Sequence, residues 1–492
     1  GEDGGSPILV YIHGGGFQAG SGDADLNGPE YLLDRNVIVI TFNYRINVFG
    51  FLSLGSPEVP GNQALRDQVT LLRWVRRNAR AFGGDPDDVT LMGQSAGAAC
   101  AHLLSLSKAT DGLFRRVILS SGTANPGFYT SSPLYAQAVA ALFLAQLGVN
   151  STDPTEIHKQ LVKIPLQQIL LANSNVQYRT GIISFAPVVE SRFPGVTRIL
   201  DDEPTELIKR GRGKHYPMLV GVNTLECGYF DPRLRYLDFK GRVEANPTLL
   251  LNPEIVFRTP PDLTQRLARV AIRRYFKARF TYDEYVRSCS ETLFVYPAFE
   301  LANLRAATKG APVFLYQFAY QSQLNYVQES GWLKQSETVH IEDFVKIFKP
   351  NAFSSVVGAE LPAEDKRMKD WMTNIVVNFI RCSTPTCTRK TERSPWPAVQ
   401  QGKYNYQRIE KPGVFLNRGP TPEQWHMIEY FKYLEAESKR AAAAPVPAAP
   451  SDAAINNVIA QFSMARPRYP LAVLYTTPRK LPRFKHINSV QT

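Results

Sequence analysis

Apolar residues recur along the chain in two patterns. Short unbroken apolar runs bounded by glycine, asparagine or proline are typical of buried strands. Such runs lie at residues 7–13, 36–43, 89–92, 116–121, 217–222 and 312–319. Apolar residues at helical spacing predict a helix that begins within residues 61–68 and two more that cover 364–381 and 421–436. A run of small residues predicts a further helix over 98–104. Strand–helix–strand alternation predicts an α/β fold with a central, mostly parallel sheet and right-handed crossovers.

Two long segments depart from this alternation. Residues 131–182 have helical spacing over 134–148 and 157–172, which predicts a helical cap inserted over the sheet edge. Residues 248–310 are mostly helical in pattern and are basic. A helix is also predicted to begin near Glu342. The fold class is therefore α/β with flanking helices and helical insertions.

The composition changes near the end of the chain. Residues 441–450 form an Ala/Pro run that is typical of a linker. We therefore predict one folded domain over 1–440 and a poorly ordered, basic tail over 441–492. The clearest basic cluster lies in that tail, at Arg466, Arg468, Arg479, Lys480, Arg483 and Lys485. The net charge of +12 is otherwise scattered and accompanies no nucleic-acid-binding motif, so we expect no nucleic-acid partner.

The sequence also limits location and cofactors. No apolar stretch approaches the roughly 20 residues that a membrane span needs. The chain starts at Gly1 in an Asp/Gly-rich turn, so we expect a fragment or processed form whose targeting peptide would lie upstream. Asn150 opens a glycosylation sequon, which matters if the protein is secreted or extracellular, as we expect. We expect neither a metal nor another cofactor.

Five cysteines give no even disulfide framework. Cys382 and Cys387 are close in sequence and have no histidine nearby, which argues against a metal loop. They form either a local disulfide or two free thiols.

The strongest chemical signal is the pentapeptide Gly93-Gln94-Ser95-Ala96-Gly97. It follows the apolar run 89–92 and precedes the small-residue helix, so a strand, a sharp turn at serine and a helix follow one another. This is the pattern of a nucleophile elbow, in which backbone strain exposes the hydroxyl of the central serine, here Ser95. The flanking glycines let the strand and the helix approach closely.

A second glycine motif, His13-Gly14-Gly15-Gly16-Phe17, follows the first strand. Three glycines at the carboxyl end of a strand leave backbone N–H groups free to converge on one point. Loops of this type supply oxyanion-hole donors in lipases and esterases. A flexible glycine turn is the alternative, and the elbow downstream makes it the weaker one.

A serine nucleophile needs a general base, and in this fold the acid and then the histidine follow the serine along the chain. His340 lies in a loop after a strand and follows a plausible acid. The other histidines precede any downstream acid, lie at the wrong end of a strand, or lie in a late helix or the tail; they are His13, His102, His158, His215, His426 and His486. We therefore predict His340 as the base.

For the acid we favour Glu226, which follows the carboxyl end of the strand at 217–222. Glu190 is a rival that follows a weaker apolar run. Asp201 and Asp202 are further rivals in an acidic turn.

The chain resembles the type-B carboxylesterase and cholinesterase family over about residues 7–435. The motifs that carry the resemblance are HGGGF (13–17), NYRxNxFGFL (43–52), GNQALRDQ (61–68), FGGDP (82–86), VTLMGQSAG (89–97), VILSSG (117–122), GVN (221–223) with Glu226, and His340-x-Glu-Asp.

The resemblance implies an α/β-hydrolase fold and ester hydrolysis through an acyl-enzyme. It assigns Ser95 as nucleophile, His340 as base and Glu226 as acid. It assigns the oxyanion hole to the N–H groups of Gly15, Gly16 and Ala96, which completes the predicted site.

Several positions depart from the family pattern. Gln94 replaces the glutamate that usually precedes the nucleophile, which removes an attraction for cationic choline esters. Cys227 and Gly228 stand where a glycine usually follows the acid directly. Cys289 resembles the first half of the family's last disulfide, but the expected partner near His426 is absent. The unusual cysteine placement, together with the Ala/Pro tail, fits an insect-type or glutactin-like member.

Three functions are compatible with this resemblance. The first is a serine esterase that acts on a small-molecule ester. The second is an adhesion or matrix-binding protein that keeps the fold without hydrolysis, and a weaker third possibility is an esterase that traps inhibitors by slow deacylation. The complete serine, glutamate and histidine set favours the first.

Overall fold

An eight-stranded sheet organises the computed structural model of this chain, in the order β2-β1-β3-β4-β5-β6-β7-β8. The structure describes residues 5–125, 129, 131–180, 183–230, 234–235, 237–252, 255–256, 259–276, 279–323, 337–353, 360–387 and 395–442. The strands are β1 Ser6–Ile12, β2 Ile38–Thr41, β3 Gly84–Gln94, β4 Arg116–Ser120, β5 Met218–Asn223, β6 Val313–Phe318, β7 Tyr406–Ile409 and β8 Leu416–Arg418. Each neighbouring pair is parallel except β7 and β8, which are antiparallel.

Helices connect and cover these strands. They are α1 Ala24–Asn27, α2 Glu30–Leu33, α3 Asn47–Phe51, α4 Gln63–Asn78, α5 Ala96–Leu106, α6 Pro133–Gln146, α7 Pro154–Leu161, α8 Leu166–Thr180, α9 Pro204–Lys209, α10 Phe239–Ala245, α11 Pro261–Tyr275, α12 Tyr282–Ser290, α13 Tyr296–Ala307, α14 Ala363–Cys382 and α15 Pro422–Ala442. A π-helical turn, Glu291–Val295, joins α12 to α13.

Both faces of the sheet are buried, which is why its strands are continuous apolar runs. In β1, Ile8, Val10 and Ile12 belong to one core cluster, which also contains residues of α4 and α5. Leu9 and Tyr11 point to the other face and belong to a second cluster with residues of α14. The molecule is therefore three layers, helices–sheet–helices.

The strand order positions the site. From β1 the chain passes to β2 on one side and then crosses back to β3 on the other. Such a reversal leaves a crevice beyond the carboxyl ends of the strands, where ligands bind in open α/β sheets. The glycine loop after β1 and the turn after β3 both lie at this crevice.

The expectations for the fold are confirmed in most elements. All six predicted strands are present, and the segments 131–182 and 248–310 contain the helices α6–α8 and α11–α13. Short strands β7 and β8 were not predicted. The helix predicted near Glu342 is wrong, because the structure has only a 3-10 turn, Phe344–Lys346.

The last helix, α15, runs to Ala442. Ala441 and Ala442, at the start of the predicted tail 441–492, therefore belong to this helix, and the rest of that tail, with its basic cluster and His486, lies outside the described residues. In the part of the chain that the structure describes, no helix combines the length and apolar character needed to cross a bilayer.

Candidate active site

Ser95 stands alone between a strand and a helix, with Gln94 ending β3 and Ala96 opening α5. Its backbone has φ 57° and ψ −126°, a conformation that non-glycine residues rarely adopt. A Cβ placed on Gly97 would lie 2.1 Å from the carbonyl oxygen of Ile12, so only glycine lets α5 approach β1 this closely. The Ser95 N–H donates to the Ser120 carbonyl at 2.8 Å, which ties the turn to β4. The elbow is present as predicted.

Glu226 and His340 form a buried pair 114 residues apart in sequence. The Nδ1 atom of His340 donates to Oε2 of Glu226 at 2.7 Å, and the other carboxylate oxygen, Oε1, accepts from the N–H of Asn223 at 2.7 Å. The exposed fractions are 0% for Glu226 and 3% for His340. Because a carboxylate only accepts, Nδ1 carries a proton, and in the neutral imidazole this leaves the lone pair on Nε2.

The backbone holds these two residues together as well. The N–H of His340 donates to the Glu226 carbonyl at 3.1 Å, and the N–H of Leu225 donates to the Thr338 carbonyl at 2.8 Å. Glu226 opens a 3-10 turn, Glu226–Phe230, just beyond β5. The loop that carries His340 is therefore paired to the turn that carries Glu226.

The imidazole reaches the elbow at Gln94. Nε2 of His340 lies 3.0 Å from Nε2 of Gln94, so the side-chain amide donates to the imidazole lone pair. Among the described residues, the structure gives the Ser95 hydroxyl no hydrogen-bond partner. The imidazole thus bonds to the residue before Ser95 and not to Ser95 itself, and catalytic hydrogen bonds commonly form only when substrate binds.

The glycine loop passes beside the serine. A Cβ on Gly14 would lie 2.9 Å from the Cβ of Ser95. Gly15 and Gly16 have φ of 112° and 62°, in the region that favours glycine. No acceptor within the described ranges bonds the N–H groups of these two glycines, and Ala96 is at the first position of α5, where N–H groups have no helical partner. These are the N–H groups that the sequence predicted for an oxyanion hole.

Aromatic rings surround the imidazole. The ring centroids of Phe294, Phe230 and Tyr229 lie 4.9, 5.4 and 6.1 Å from that of His340. Tyr129 extends the wall, because its ring lies 6.1 Å from that of Phe294. The wall is aromatic and carries no formal charge.

A second buried carboxylate, Asp343, is linked to Glu226 through Asn223, which donates to both. The sequence predicted no role for Asp343. It accepts hydrogen bonds from Ser120 Oγ at 2.9 Å, Tyr316 OH at 2.8 Å and Asn223 Nδ2 at 3.0 Å. Burial raises the pKa of Asp343 above its ordinary value, and the nearby charge of Glu226 raises this pKa further. The only sequence signal for it is its place three residues after His340.

The rival acids are engaged elsewhere. Glu190 pairs with Arg66 at 2.5 Å and accepts from the N–H groups of Ile199 and Leu200. Asp202 pairs with Arg210 at 2.5 Å. None of these contacts involves a histidine.

The histidine in the elbow helix has a structural role. His102 in α5 is fully buried, and its Nδ1 accepts from the N–H of Ala124 at 3.0 Å. This contact fits its exclusion as the base.

The cysteines form two disulfides. Cys382 and Cys387 are bonded, which resolves the alternatives left open by the sequence. Cys289 bonds to Cys227, the residue directly after Glu226. Spacing alone could not have given this pair. Cys100 is free and buried.

The glycosylation of Asn150 and the absence of a metal cofactor remain predictions. Asn150 is exposed after α6, so its sequon is accessible. Among the described residues, no group of three or more His, Cys, Asp or Glu side chains could hold a metal ion.

Comparison with known proteins gives concordant matches. The model of the carboxylesterase family matches residues 2–427. A juvenile hormone esterase from Heliothis virescens is 47% identical over 432 residues, which cover 88% of this chain and 76% of the relative. The crystal structure of juvenile hormone esterase from Manduca sexta, with OTFP covalently attached, superposes with a TM-score of 0.84 at 45% identity, covering 88% of this chain and 81% of the other. A PNB esterase structure superposes with a TM-score of 0.66 at 26% identity and covers 86% and 82%.

Proposed function

Since the chain belongs to the carboxylesterase family and is a serine carboxylic ester hydrolase, we propose that Ser95, His340 and Glu226 are its nucleophile, base and orienting acid. The observation that carries this assignment is the buried 2.7 Å bond between Glu226 and His340, placed beside a strained serine elbow. Adhesion without hydrolysis is not favoured.

The reaction begins when an ester carbonyl binds beside Ser95. The lone pair on His340 Nε2 exchanges its partner from the Gln94 amide to the Ser95 hydroxyl. Ser95 Oγ then attacks the carbonyl carbon while Nε2 takes the hydroxyl proton. Glu226 holds the imidazole tautomer and stabilises the imidazolium that forms.

The oxyanion of the tetrahedral intermediate is stabilised by the N–H groups of Gly15, Gly16 and Ala96. Loss of one such donor typically costs about 3–4 kcal/mol. His340 returns the proton to the leaving alcohol, and the acyl group remains on Ser95. Water then attacks the acyl-enzyme by the same route and releases the acid.

For the substrate, we propose a neutral, apolar ester of the juvenile hormone type. The name of the relative with 47% identity points to such an ester. The uncharged wall of Phe230, Phe294, Tyr229 and Tyr129 supports it, as does the neutral amide of Gln94 beside the imidazole.

Kinetics of serine variants test the nucleophile. We expect Ser95→Ala to lower kcat for a short p-nitrophenyl ester by roughly 10⁴-fold or more, because the attacking atom is removed. Ser105→Ala is the matched control: this serine lies in α5, the helix that begins directly after Ser95, and its hydroxyl donates to the His102 carbonyl at 2.6 Å. Retained turnover in Ser95→Ala, with a folded protein, would rule out the assignment.

We also propose an extracellular location. Two disulfides favour an oxidising compartment, and Asn150 is exposed in a glycosylation sequon. A glycosidase-sensitive mass on the protein secreted from insect cells, lost in Asn150→Gln, is the expected result. Retention of the protein inside the cell would contradict it.

A further inference from the structure

The disulfide Cys227–Cys289 is anchored directly after the proposed acid, because Cys227 follows Glu226 in the sequence. Cys227 lies in the turn Glu226–Phe230, and Cys289 lies near the end of α12. Both cysteines are buried, with exposed fractions of 0% and 5%. The bond closes a separation of 62 residues, so it joins two elements that the sequence does not bring together.

We propose that this disulfide, together with the Ser290 hydroxyl, positions Glu226 against His340; the inference rests on the proposed roles of those two residues. Ser290 Oγ accepts from the N–H of Cys227 at 2.9 Å and donates to the Val286 carbonyl at 2.7 Å. The backbone on the C-terminal side of Glu226 is therefore tied to α12 by one covalent bond and one hydrogen bond.

The segment after Ser290 continues this support. The π-helical turn Glu291–Val295 follows directly and carries Phe294 to the imidazole. Phe230, at the other end of the acid's own turn, lies against the same imidazole, and its ring is nearly parallel to that of Phe294, at 6.4 Å and 13°. Each of the two turns thus places a ring against His340, and the disulfide connects the first turn to α12, the helix that leads directly into the second.

Without these links, the remaining hydrogen bonds of the described backbone around Glu226 run towards β5 and the His340 loop, through Asn223, Leu225 and the Glu226 carbonyl. Freedom of the turn on its other side would let the carboxylate drift from Nδ1. A misplacement of about 1 Å in a catalytic site can cost about 10²-fold in rate. Binding of a short p-nitrophenyl ester would be little affected, since the acid contacts the imidazole and not the ester, and so small an ester covers little of the wall formed by Phe230 and Phe294.

The chain offers a control for each link. Cys382–Cys387 closes a short loop at the end of α14, which packs on the other face of the sheet. Ser174 in α8 is buried and donates to the carbonyl four residues before it at 2.8 Å, as Ser290 does, but it receives no hydrogen bond from the turn that carries Glu226.

The experiment compares kcat, KM and the rate of phosphonylation by an alkyl fluorophosphonate in four variants. We expect C227A/C289A to lower kcat and the phosphonylation rate roughly 10- to 100-fold, with KM for a short p-nitrophenyl ester within about twofold of wild type. The control C382A/C387A is expected to keep both rates within about twofold. Ser290→Ala is expected to lower kcat several-fold, on the order of 3–10, while Ser174→Ala leaves it unchanged.

A folded C227A/C289A protein with wild-type kcat and a lower melting temperature would overturn the inference, because the disulfide would then be a cross-link without a positioning role. If that variant does not fold, Ser290→Ala decides: wild-type kcat contradicts the inference, and a selective fall in kcat supports it. Failure of the proposed function is seen separately, as phosphonylation of wild type at a residue other than Ser95.

Discussion

The side-chain amide of Gln94 places a neutral donor where a carboxylate would add a negative charge next to the imidazole. Gln94 is 5% exposed, so a charge at this position would be poorly screened by solvent. Its hydrogen bond to His340 Nε2 also occupies the lone pair that the reaction needs. One residue therefore bears on both substrate charge and the resting geometry.

We predict that Gln94→Glu favours cationic esters. The added charge should raise kcat/KM for acetylthiocholine, relative to its neutral isostere 3,3-dimethylbutyl thioacetate, by roughly tenfold, or ~1.4 kcal/mol. Gln94→Met, which is uncharged, is the control and should leave the ratio near that of wild type. An unchanged ratio in Gln94→Glu would show that the amide does not govern substrate charge.

Some residues of the site can be predicted from the sequence, and others cannot, for physical reasons. The order of serine, acid and histidine along the chain, with the carboxyl ends of strands, led to Glu226 and His340, which the structure brings within 2.7 Å. Their roles remain predictions. The contacts of Asp343 and the pairing of Cys227 with Cys289 depend on how distant segments pack, and no local pattern encodes them.

At the scale of elements, α5 is buried along its whole length and carries a titratable group into the core. Burial lowers the pKa of His102 to about 3, and the positive charge of Arg305 adds to this lowering. The lowered pKa means that folding favours neutral His102. Its contribution to stability is fully present above about pH 6.5 and is lost as the pH falls from there towards about 3.

We predict that His102→Asn reduces the acid sensitivity of the fold. Asparagine can still accept from the Ala124 N–H, and it does not titrate. Between about pH 7.5 and pH 5, the wild-type free energy of unfolding should fall by ~2 kcal/mol more than that of the variant, since each pH unit below 6.5 is worth ~1.4 kcal/mol. Urea unfolding at the two pH values measures this. Equal losses in both proteins would mean that His102 does not contribute.

Elements were predictable where their pattern is long and apolar. Runs such as 217–222 gave β5 within a residue or two, because both faces of the sheet are buried. β7 and β8 have only 4 and 3 residues and include Gln407, Arg408, Asn417 and Arg418, so their pairing depends on the neighbouring β6 and not on their own pattern. The segment after Glu342 forms only the 3-10 turn Phe344–Lys346, next to Asp343, whose carboxylate accepts from Ser120, Tyr316 and Asn223.

For the whole molecule, α15 closes the layer of helices on one face of the sheet. Met427, Ile428, Phe431 and Leu434 are buried, and the ring of Phe431 stacks on Tyr296 of α13 at 4.5 Å. The hydroxyl of Tyr296 donates to Glu435 at 2.8 Å. The boundary of the folded domain should therefore follow α15.

We predict different outcomes for two truncations. A chain that ends after Ala442 should keep the melting temperature and kcat of the full chain. A chain that ends after Pro420 should be insoluble or unfolded, because removing α15 uncovers the surface against which four apolar side chains pack, each worth about 2 kcal/mol. Scanning calorimetry and esterase assays distinguish the two. Loss of activity on removal of 443–492 alone would contradict the domain boundary.

The proposed nucleophile is tested most directly by labelling the protein with an alkyl fluorophosphonate and mapping the labelled residue by mass spectrometry of peptides. The proposed chemistry predicts one adduct per chain, on Ser95, which is absent in Ser95→Ala and forms far more slowly in His340→Ala. An adduct on any other residue, or labelling of Ser95→Ala at the wild-type rate, would contradict it.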